Sequence, residues 1–234
     1  MEGERAQRQA GAVRHVIVAC EGQTEQGFVT EVLEHPLAYR GLFIEPRLIP
    51  TSAGARGGAL SRQRVLRFLR DALRQRRDTY VTTFFDLYGL PSDFPGVAVS
   101  RRDPLDRASA IESSLHAEVV RVARCRPDRF QPHIQPYEFE ALLFSDTSQF
   151  VREQPGWARW AAQLAAARRS ATSPEHIDDG PDTHPSALLE RLDGYHKVRH
   201  GSALAARIGL DRIRHQCHHF AAWLSRLESL PALV

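Results

Sequence analysis

Lysine is nearly absent from this chain of 234 residues: Lys197 is its single lysine, and its 30 other basic residues are arginines. The three cysteines, Cys20, Cys125 and Cys217, are widely separated and form no Cys-x-x-Cys pair, which argues against a disulfide framework or a zinc ribbon. No apolar stretch approaches the roughly 20 residues that would cross a bilayer. The polar segment 1–12 lacks a signal-peptide core and is predicted to be a disordered tail. Together these absences favour a cytoplasmic protein.

Several catalytic signatures are missing as well. The chain contains no Gly-x-Ser-x-Gly elbow, so hydrolase triad chemistry is not expected. It also contains no Walker or dinucleotide fingerprint, which argues against binding and hydrolysis of ATP by the chain itself. The net charge of +3 gives the whole molecule only a modest attraction to a polyanion.

What is present is an apolar run that ends abruptly on an acid. Val16 to Ala19 has the composition of a buried strand, Gly22 permits a tight turn, and Thr24 is a candidate N-cap for a helix that begins near Glu25. Glu21 is therefore predicted at the carboxyl end of a strand. In open α/β sheets, ligands gather at that edge.

The same layout occurs twice more. Tyr80 to Asp86 is a second strand-like run that ends on an acid, and His133 to Phe144 contains Glu138 and Glu140. If the third segment is extended, the two glutamates face the same way, because side chains alternate along a strand. Three strand ends that deliver carboxylates to one rim predict a site for a hard cation such as Mg²⁺ or Mn²⁺.

Four motifs in this order resemble a known family. They are Cys20-Glu-Gly-x-Thr-Glu25; Thr83-x-Phe-Asp86-x-Tyr-Gly-Leu-Pro91 with Phe94-Pro-Gly96; Gln135-Pro-Tyr-Glu-Phe-Glu140; and Tyr195-x-Lys-Val-x-x-Gly201. From about residue 14 to about residue 228 the chain resembles the Toprim-like domain-of-unknown-function (DUF) 4276 family.

This resemblance implies a Toprim-like α/β fold, the fold of the metal sites of topoisomerases, primases and OLD-type nucleases. It also implies a bacterial protein linked with mobile-element or phage-defence genes. Toprim proteins have a lone Glu after the first strand and an Asp-x-Asp pair after a later one. Glu21 matches the lone Glu, but Asp86-Leu-Tyr88 offers one acid of the pair, so Glu138 or Glu140 would have to supply the other.

Alternating strand and helix patterns predict an α/β fold with a mainly parallel central sheet, helices on both faces and a C-terminal helical extension. The predicted organisation is an α/β domain over residues 13–150 and helices over 151–234 that pack on the same domain. A second strand is expected at Ile44 to Pro50, followed by a glycine-containing connector at 51–58. Within the extension, one long helix is expected from Ser202 to Leu230.

Eight arginines fall within residues 56–77 against one acid, Asp71. On a helix, Val65 and Leu69 share one face while most of these arginines gather on the other. Such a stripe suits a nucleic-acid backbone, although a solvated helix face gives the same pattern. The candidate nucleic-acid-binding residues are Arg62, Arg67, Arg70, Arg74 and Arg77.

Two further features lie in the C-terminal part. A lysine in so arginine-rich a chain suggests a role for the compact ammonium of Lys197, either contacting phosphate or pairing with a carboxylate. His215 and His219 are one helical turn apart, but the spacing offers no third zinc ligand. Cys217 is therefore expected to face the core and the histidines to lie at the surface or at the rim of the core.

Two hypotheses follow. In the first, the protein is a Mg²⁺- or Mn²⁺-dependent nuclease, in which Asp86 with Glu138 or Glu140 holds the metal and Glu21 holds metal or orients water. Lys197 completes this catalytic set. In the second, it is a catalytically weak Toprim-like module that binds nucleic acid or an ATPase partner.

Overall fold

The structure is a computed structural model that describes residues 13–50, 60–99, 101–177, 180 and 182–233. The predicted disordered tail at 1–12 and the predicted connector at 51–58 lie outside the described residues. Within those ranges, no helix combines the length and the apolar character that crossing a membrane requires.

Strands and helices alternate through the first half of the chain, and helices follow. The described strands are β1 Arg14–Cys20, β2 Leu42–Leu48, β3 Thr79–Asp86, β4 Phe130–Gln131 and β5 Ile134–Gln135. The α-helices are α1 Gln23–Phe28, α2 Glu34–Ala38, α3 Arg62–Gln75, α4 Pro104–Ala123, α5 Glu140–Leu143, α6 Ser148–Glu153, α7 Ala161–Ser170, α8 Pro185–Glu190, α9 Lys197–Ile208, α10 Leu210–Gln216 and α11 His218–Glu228. A π-helical turn, Val29–Leu33, joins α1 to α2.

The central sheet is parallel, with strand order β2-β1-β3-β4. β5 also pairs with β3 in parallel, beyond β4 along the same side. Cys20, the last residue of β1, pairs with Phe84 near the end of β3. The carboxyl ends of these two central strands therefore lie side by side, which places the residues after them at one edge.

A short gap separates β4 from β5 at Pro132 and His133. Proline has no N–H to give to a strand ladder. The Thr83 hydroxyl closes the gap instead, because it accepts from the His133 N–H at 2.9 Å and donates to the His133 carbonyl at 2.8 Å. This arrangement holds the buried His133 in a fixed position beside the sheet.

Alternating side chains of the central strands supply two separate cores. Val16 and Phe84 pack on the face covered by α1 and the C-terminal helices, whereas Ile17 and Phe85 pack on the face covered by α3 and α4. All eight residues of β3 are buried. The predicted α/β fold with a mainly parallel sheet covered on both faces is therefore confirmed.

Helices of the C-terminal part share the first of these cores with the sheet. Trp223 of α11 donates its Nε1–H to the Thr82 hydroxyl of β3 at 2.8 Å. The single helix expected from Ser202 to Leu230 is wrong: α9, α10 and α11 replace it. Gly209, which separates α9 from α10, has a φ of +84°, a value that ends a right-handed helix.

The first turn of α11 is held by a side chain from a distant segment. Glu175 is completely buried, and its carboxylate accepts from the backbone N–H groups of His219 at 2.9 Å and Phe220 at 3.0 Å. These N–H groups have no partner inside the helix, and a carboxylate at a helix N-terminus also complements the helix dipole. Glu175 therefore positions the start of α11 against the sheet.

We expect Glu175→Gln to lower the free energy of unfolding by about 1–3 kcal/mol, because an amide can accept only one of the two buried N–H groups. Urea denaturation followed by circular dichroism measures the loss. The matched control is Glu190→Gln at an exposed position of α8, which should change stability by less than about 0.5 kcal/mol. Equal stabilities of the two variants would contradict this role for Glu175.

Candidate functional site

The first part of the site is the turn from β1 into α1. Glu21 follows the last residue of β1, as predicted. The helix N-cap is Gly22 rather than the expected Thr24, which is buried inside α1. The Glu25 carboxylate turns back and accepts from the Gly22 N–H at 2.9 Å. This contact brings a second acid beside Glu21.

The second part is the end of β3. Asp86 is the last residue of that strand, and its Oδ1 accepts from the Phe139 N–H at 2.8 Å. The turn that follows brings Gly89 against the Glu21 carboxylate, where an added Cβ would lie 2.5 Å from both carboxylate oxygens. Because Gly89 has no Cβ, there is room for the Glu21 carboxylate beside it.

The third part of the site is the segment from Tyr137 to Glu140. Its two glutamates are close in sequence but lie in different surroundings. Tyr137 has a φ of +59°, in the left-handed region, and the chain is helical from Glu140. The extended segment expected there, with both carboxylates facing one way, is wrong. Glu140 is fully buried beside Lys197, whereas Glu138 Oε1 accepts from the Ser186 N–H and lies 3.3 Å from His184 Nδ1, at the start of α8.

The fourth part is Lys197, the first residue of α9. Its Nζ lies 3.1 Å from Glu140 Oε2, 3.5 Å from Asp86 Oδ2 and 4.0 Å from Glu25 Oε1. A helix dipole disfavours a cation at this end, so the surrounding carboxylates must compensate. Two roles were expected for Lys197, and the structure shows one of them, the pairing with carboxylates.

A glycine in α9 allows this approach. A Cβ added to Gly201 would lie 3.0 Å from Thr24 Cγ2 and 3.1 Å from Phe139 Cε1, closer than ordinary packing permits. Gly201 thus lets α9 lie against α1 and the start of α5. In the motif Tyr195-x-Lys-Val-x-x-Gly201, the glycine permits the close packing of α9 and the lysine then reaches the carboxylates.

We call Glu21, Glu25, Asp86 and Glu140 the acid cluster. Burial and, to a smaller extent, the nearby Glu25 together raise the pKa of Glu21 to about 7. Burial likewise raises the pKa of Glu140 to about 7 and that of Asp86 well above its usual value, although Lys197 opposes both shifts. The pKa of Lys197 is raised, because Asp86, Glu140 and Glu25 outweigh the opposing effect of burial.

The acid cluster fits a hard divalent cation. One ammonium cannot neutralise four carboxylates, so the ionised cluster keeps an excess of negative charge. Glu21 Oε2 and Glu140 Oε1 are buried and accept no hydrogen bond from the described residues, whereas Glu140 Oε2 faces the Lys197 ammonium at 3.1 Å. Oxygen ligands with surplus negative charge and free lone pairs are what Mg²⁺ and Mn²⁺ require. The Lys197 side chain, 41% exposed, marks the open side of the cluster.

The predicted basic helix is present as α3, but its arginines differ in their contacts. Arg62 pairs with Glu118 at 2.8 Å, Arg70 pairs with its neighbour Asp71, and Arg74 donates to backbone carbonyls at the end of α4. Arg67 is exposed on α3, and Arg77 is exposed just beyond its end. Nucleic-acid binding by this helix therefore remains a prediction, and it concerns only part of the stripe.

A second group of ionisable side chains was missed by the sequence analysis. His219 was expected at the surface or at the rim of the core but is buried, and its Nε2 lies 2.7 Å from Glu112 Oε1. His133 Nδ1 lies 3.6 Å from the same oxygen. We call Glu112, His133 and His219 the histidine cluster. Cys217 faces the core, as expected.

Glu25 was missed as well, because the motif suggested only a helix start. Its proximity to Lys197 depends on how α1 and α9 pack, which local spacing does not encode. The signal that could have found it is the acid placed four residues after Glu21 on the first turn of a helix.

Comparison with known proteins gives one match. A protein-family model described as a domain of unknown function (DUF4276) matches residues 20–228. Neither the search of curated proteins nor the search of solved structures returned a match. The matched range includes every residue of the acid cluster, and the family description states no activity.

The raised pKa of Glu21 gives a pH-dependent prediction for metal-free protein. Because the folded state holds this proton more tightly, wild-type stability falls as the pH rises from about 4.5 through about 7. Glu21→Gln cannot ionise, so it should be more stable than wild type above pH 7, by up to about 3 kcal/mol at about 1.4 kcal/mol per pKa unit. Below the usual glutamate pKa this gain should disappear.

Thermal and urea unfolding in a chelating buffer at several pH values measures the difference. Glu34→Gln on α2, where the side chain is exposed, is the control and should track wild type. A Glu21→Gln gain that does not vary with pH would contradict a raised pKa for Glu21.

Proposed function

Because the chain belongs to the DUF4276 family, whose description states no activity, we propose a function from the site itself: divalent-metal-dependent cleavage of nucleic-acid phosphodiesters. The supporting observation is the acid cluster around Lys197 at the carboxyl edge of a parallel sheet. Its carboxylates suit Mg²⁺ or Mn²⁺, and its open side is the side of Lys197.

Each residue has a role in this proposal. Asp86 and Glu140 hold the cation, and Glu25 adds negative charge beside them. A bound Mg²⁺ or Mn²⁺ supplies stabilisation of the charge on the phosphate. Glu21, whose pKa of about 7 suits a general base at neutral pH, accepts a proton from water. Lys197 contacts a phosphate oxygen from the solvent side.

Nucleic acid is the proposed substrate because a basic groove lies beside α3. Arg47, Arg64 and Arg67 line this groove of about 690 Å³ together with one acid, Asp71, and Arg47 pairs with Glu45. The helix connects the carboxyl end of β2 to the amino end of β3, so its first turn points toward the edge of the sheet that contains the acid cluster. A phosphate backbone that follows the first half of α3 would be directed toward that edge.

The setting of this activity is part of the same proposal. From the resemblance we infer a Toprim-like fold and a role in a mobile-element or phage-defence system in the bacterial cytoplasm. Tyr88 stands where the second acid of an Asp-x-Asp pair would be, and 43% of this residue is exposed. This single-acid turn favours one cation in the site rather than two.

One observation favours a second candidate function. Lys197 already lies within 4.0 Å of three carboxylates, and an ammonium in that position can replace a metal ion as the neutralising charge. In that case the chain is a catalytically weak module that binds nucleic acid or an ATPase partner. The metal dependence of stability distinguishes the two functions.

We expect Asp86→Asn to abolish Mg²⁺- or Mn²⁺-dependent cleavage of DNA or RNA. The same change should leave the melting temperature of metal-free protein unchanged or higher, since it removes one of the mutually repelling buried carboxylates. In wild type, Mg²⁺ should raise the melting temperature, and this rise should be lost in Asp86→Asn. Cleavage assays and thermal unfolding with and without metal measure both effects.

Glu138→Gln is the matched control, because its amide oxygen can still accept from the Ser186 N–H while the charge is removed outside the acid cluster. It should retain both the metal effect and cleavage. Wild-type protein that neither cleaves single- or double-stranded DNA or RNA nor gains stability with Mg²⁺ or Mn²⁺ would decide for the binding module.

The basic groove gives a separate prediction. Arg67→Gln should reduce the salt dependence of nucleic-acid binding by about one unit of slope, the effect of losing one phosphate contact. Arg74→Gln is the control: it should change stability rather than slope, because Arg74 donates to the carbonyls of Val122 and Ala123. Binding titrations at several salt concentrations test both variants. An unchanged slope for Arg67→Gln would indicate that Arg67 contacts no phosphate and that the arginines of α3 only face solvent.

A further inference from the structure

The histidine cluster shares no residue with the acid cluster and lies where three elements meet. Glu112 comes from the middle of α4, His133 from the gap between β4 and β5, and His219 from the first turn of α11. One ligand atom from each residue can be chosen so that all three lie within 4.8 Å of one another. All three residues are buried, and His133 is completely so.

Hydrogen bonds to backbone groups hold all three residues in place, and Glu112 Oε1 accepts from the Ile134 N–H at 2.9 Å. Asp103 caps the N-terminus of α4, because its side chain accepts from the N–H groups of Leu105 and Asp106. The Thr83 hydroxyl fixes His133 through both of its backbone groups. Glu175 fixes the backbone of His219. The three side chains are therefore preorganised, as the ligands of a metal ion must be.

The hydrogen bonds within the cluster leave one nitrogen without a partner. His133 Nε2 lies 3.3 Å from the side-chain amide of Gln135, whose oxygen in this orientation accepts a proton from Nε2. His133 Nδ1 then directs a lone pair toward Glu112 Oε1, and it makes no hydrogen bond with the described residues. A proton on His133 Nδ1 or a metal ion beside it would satisfy both this buried nitrogen and the carboxylate that it faces.

We propose that Glu112, His133 and His219 form a second metal site, for Zn²⁺ or a similar borderline divalent cation. Two imidazoles and one carboxylate suit Zn²⁺, unlike the oxygen ligands of the acid cluster. Gln135 orients the His133 ring, as an outer-shell acceptor does for a metal-ligating histidine. The site joins α11 to α4 and the sheet.

A surface cavity of about 260 Å³ borders the site at Glu112, and its lining also includes His116 and Arg226. Arg226 reaches within 3.7 Å of Glu112 Oε2 and is 39% exposed. Its guanidinium opposes a cation at Glu112, so it limits affinity without blocking the site. This position also provides a variant that can strengthen binding without altering any ligand.

The test is zinc titration of metal-stripped full-length protein against a chromophoric chelator, with Co²⁺ absorption as a second measurement. We expect one Zn²⁺ per chain and Co²⁺ bands typical of a low-coordinate histidine site. Glu112→Gln and His219→Gln should each weaken zinc binding roughly tenfold or more. Arg226→Gln should tighten it several-fold, a gain that a misfolded variant would not give.

Two controls exclude zinc bound elsewhere. The double variant His215→Gln/His218→Gln removes exposed histidines of the same region, and Asp86→Asn removes an acid-cluster ligand; both should retain the high-affinity zinc. The proposal is overturned if wild type binds no zinc at micromolar concentrations. It is also overturned if binding survives both Glu112→Gln and His219→Gln, or if either control variant abolishes it.

Discussion

Buried negative charge at the carboxyl edge of the sheet is the constraint on which the rest of the site depends. Parallel strands bring Glu21 and Asp86 side by side, and the helical start at Glu140 adds a third acid without access to water. Such a group is stable only if positive charge reaches it or protons remain bound. Lys197 meets part of this requirement, and the raised pKa values of the carboxyl groups show that part of it remains unmet.

The two faces of the sheet have different tasks. The face covered by α1 and the C-terminal helices delivers Lys197 to the acid cluster, and Gly201 permits the close approach. The other face supports α3 and α4, and through them the basic groove and Glu112. The histidine cluster connects the two faces, because Glu112 belongs to α4 and His219 to α11. The acid cluster, the histidine cluster and the basic groove are thus attached to one sheet.

Local patterns were sufficient to predict some features and insufficient for others. The acids Glu21 and Asp86 could be placed because a buried parallel strand is a continuous apolar run, and such a run shows where the strand stops. The choice between Glu138 and Glu140 could not be made, because it depends on the left-handed backbone of Tyr137. His219 was misplaced for another reason. Its burial is created by Glu112 and His133, which are remote in sequence, and helical periodicity contains no information about such partners.

The position of Lys197 late in the chain has a consequence for biosynthesis. The acids emerge from the ribosome first, and the residue that neutralises them follows only with α9. Until then, the carboxyl groups of the nascent chain must stay hydrated or protonated, so the edge of the sheet cannot close. A chain truncated before α9 would retain its acids without their counterion. Translation of the C-terminal helices therefore controls when this site is completed.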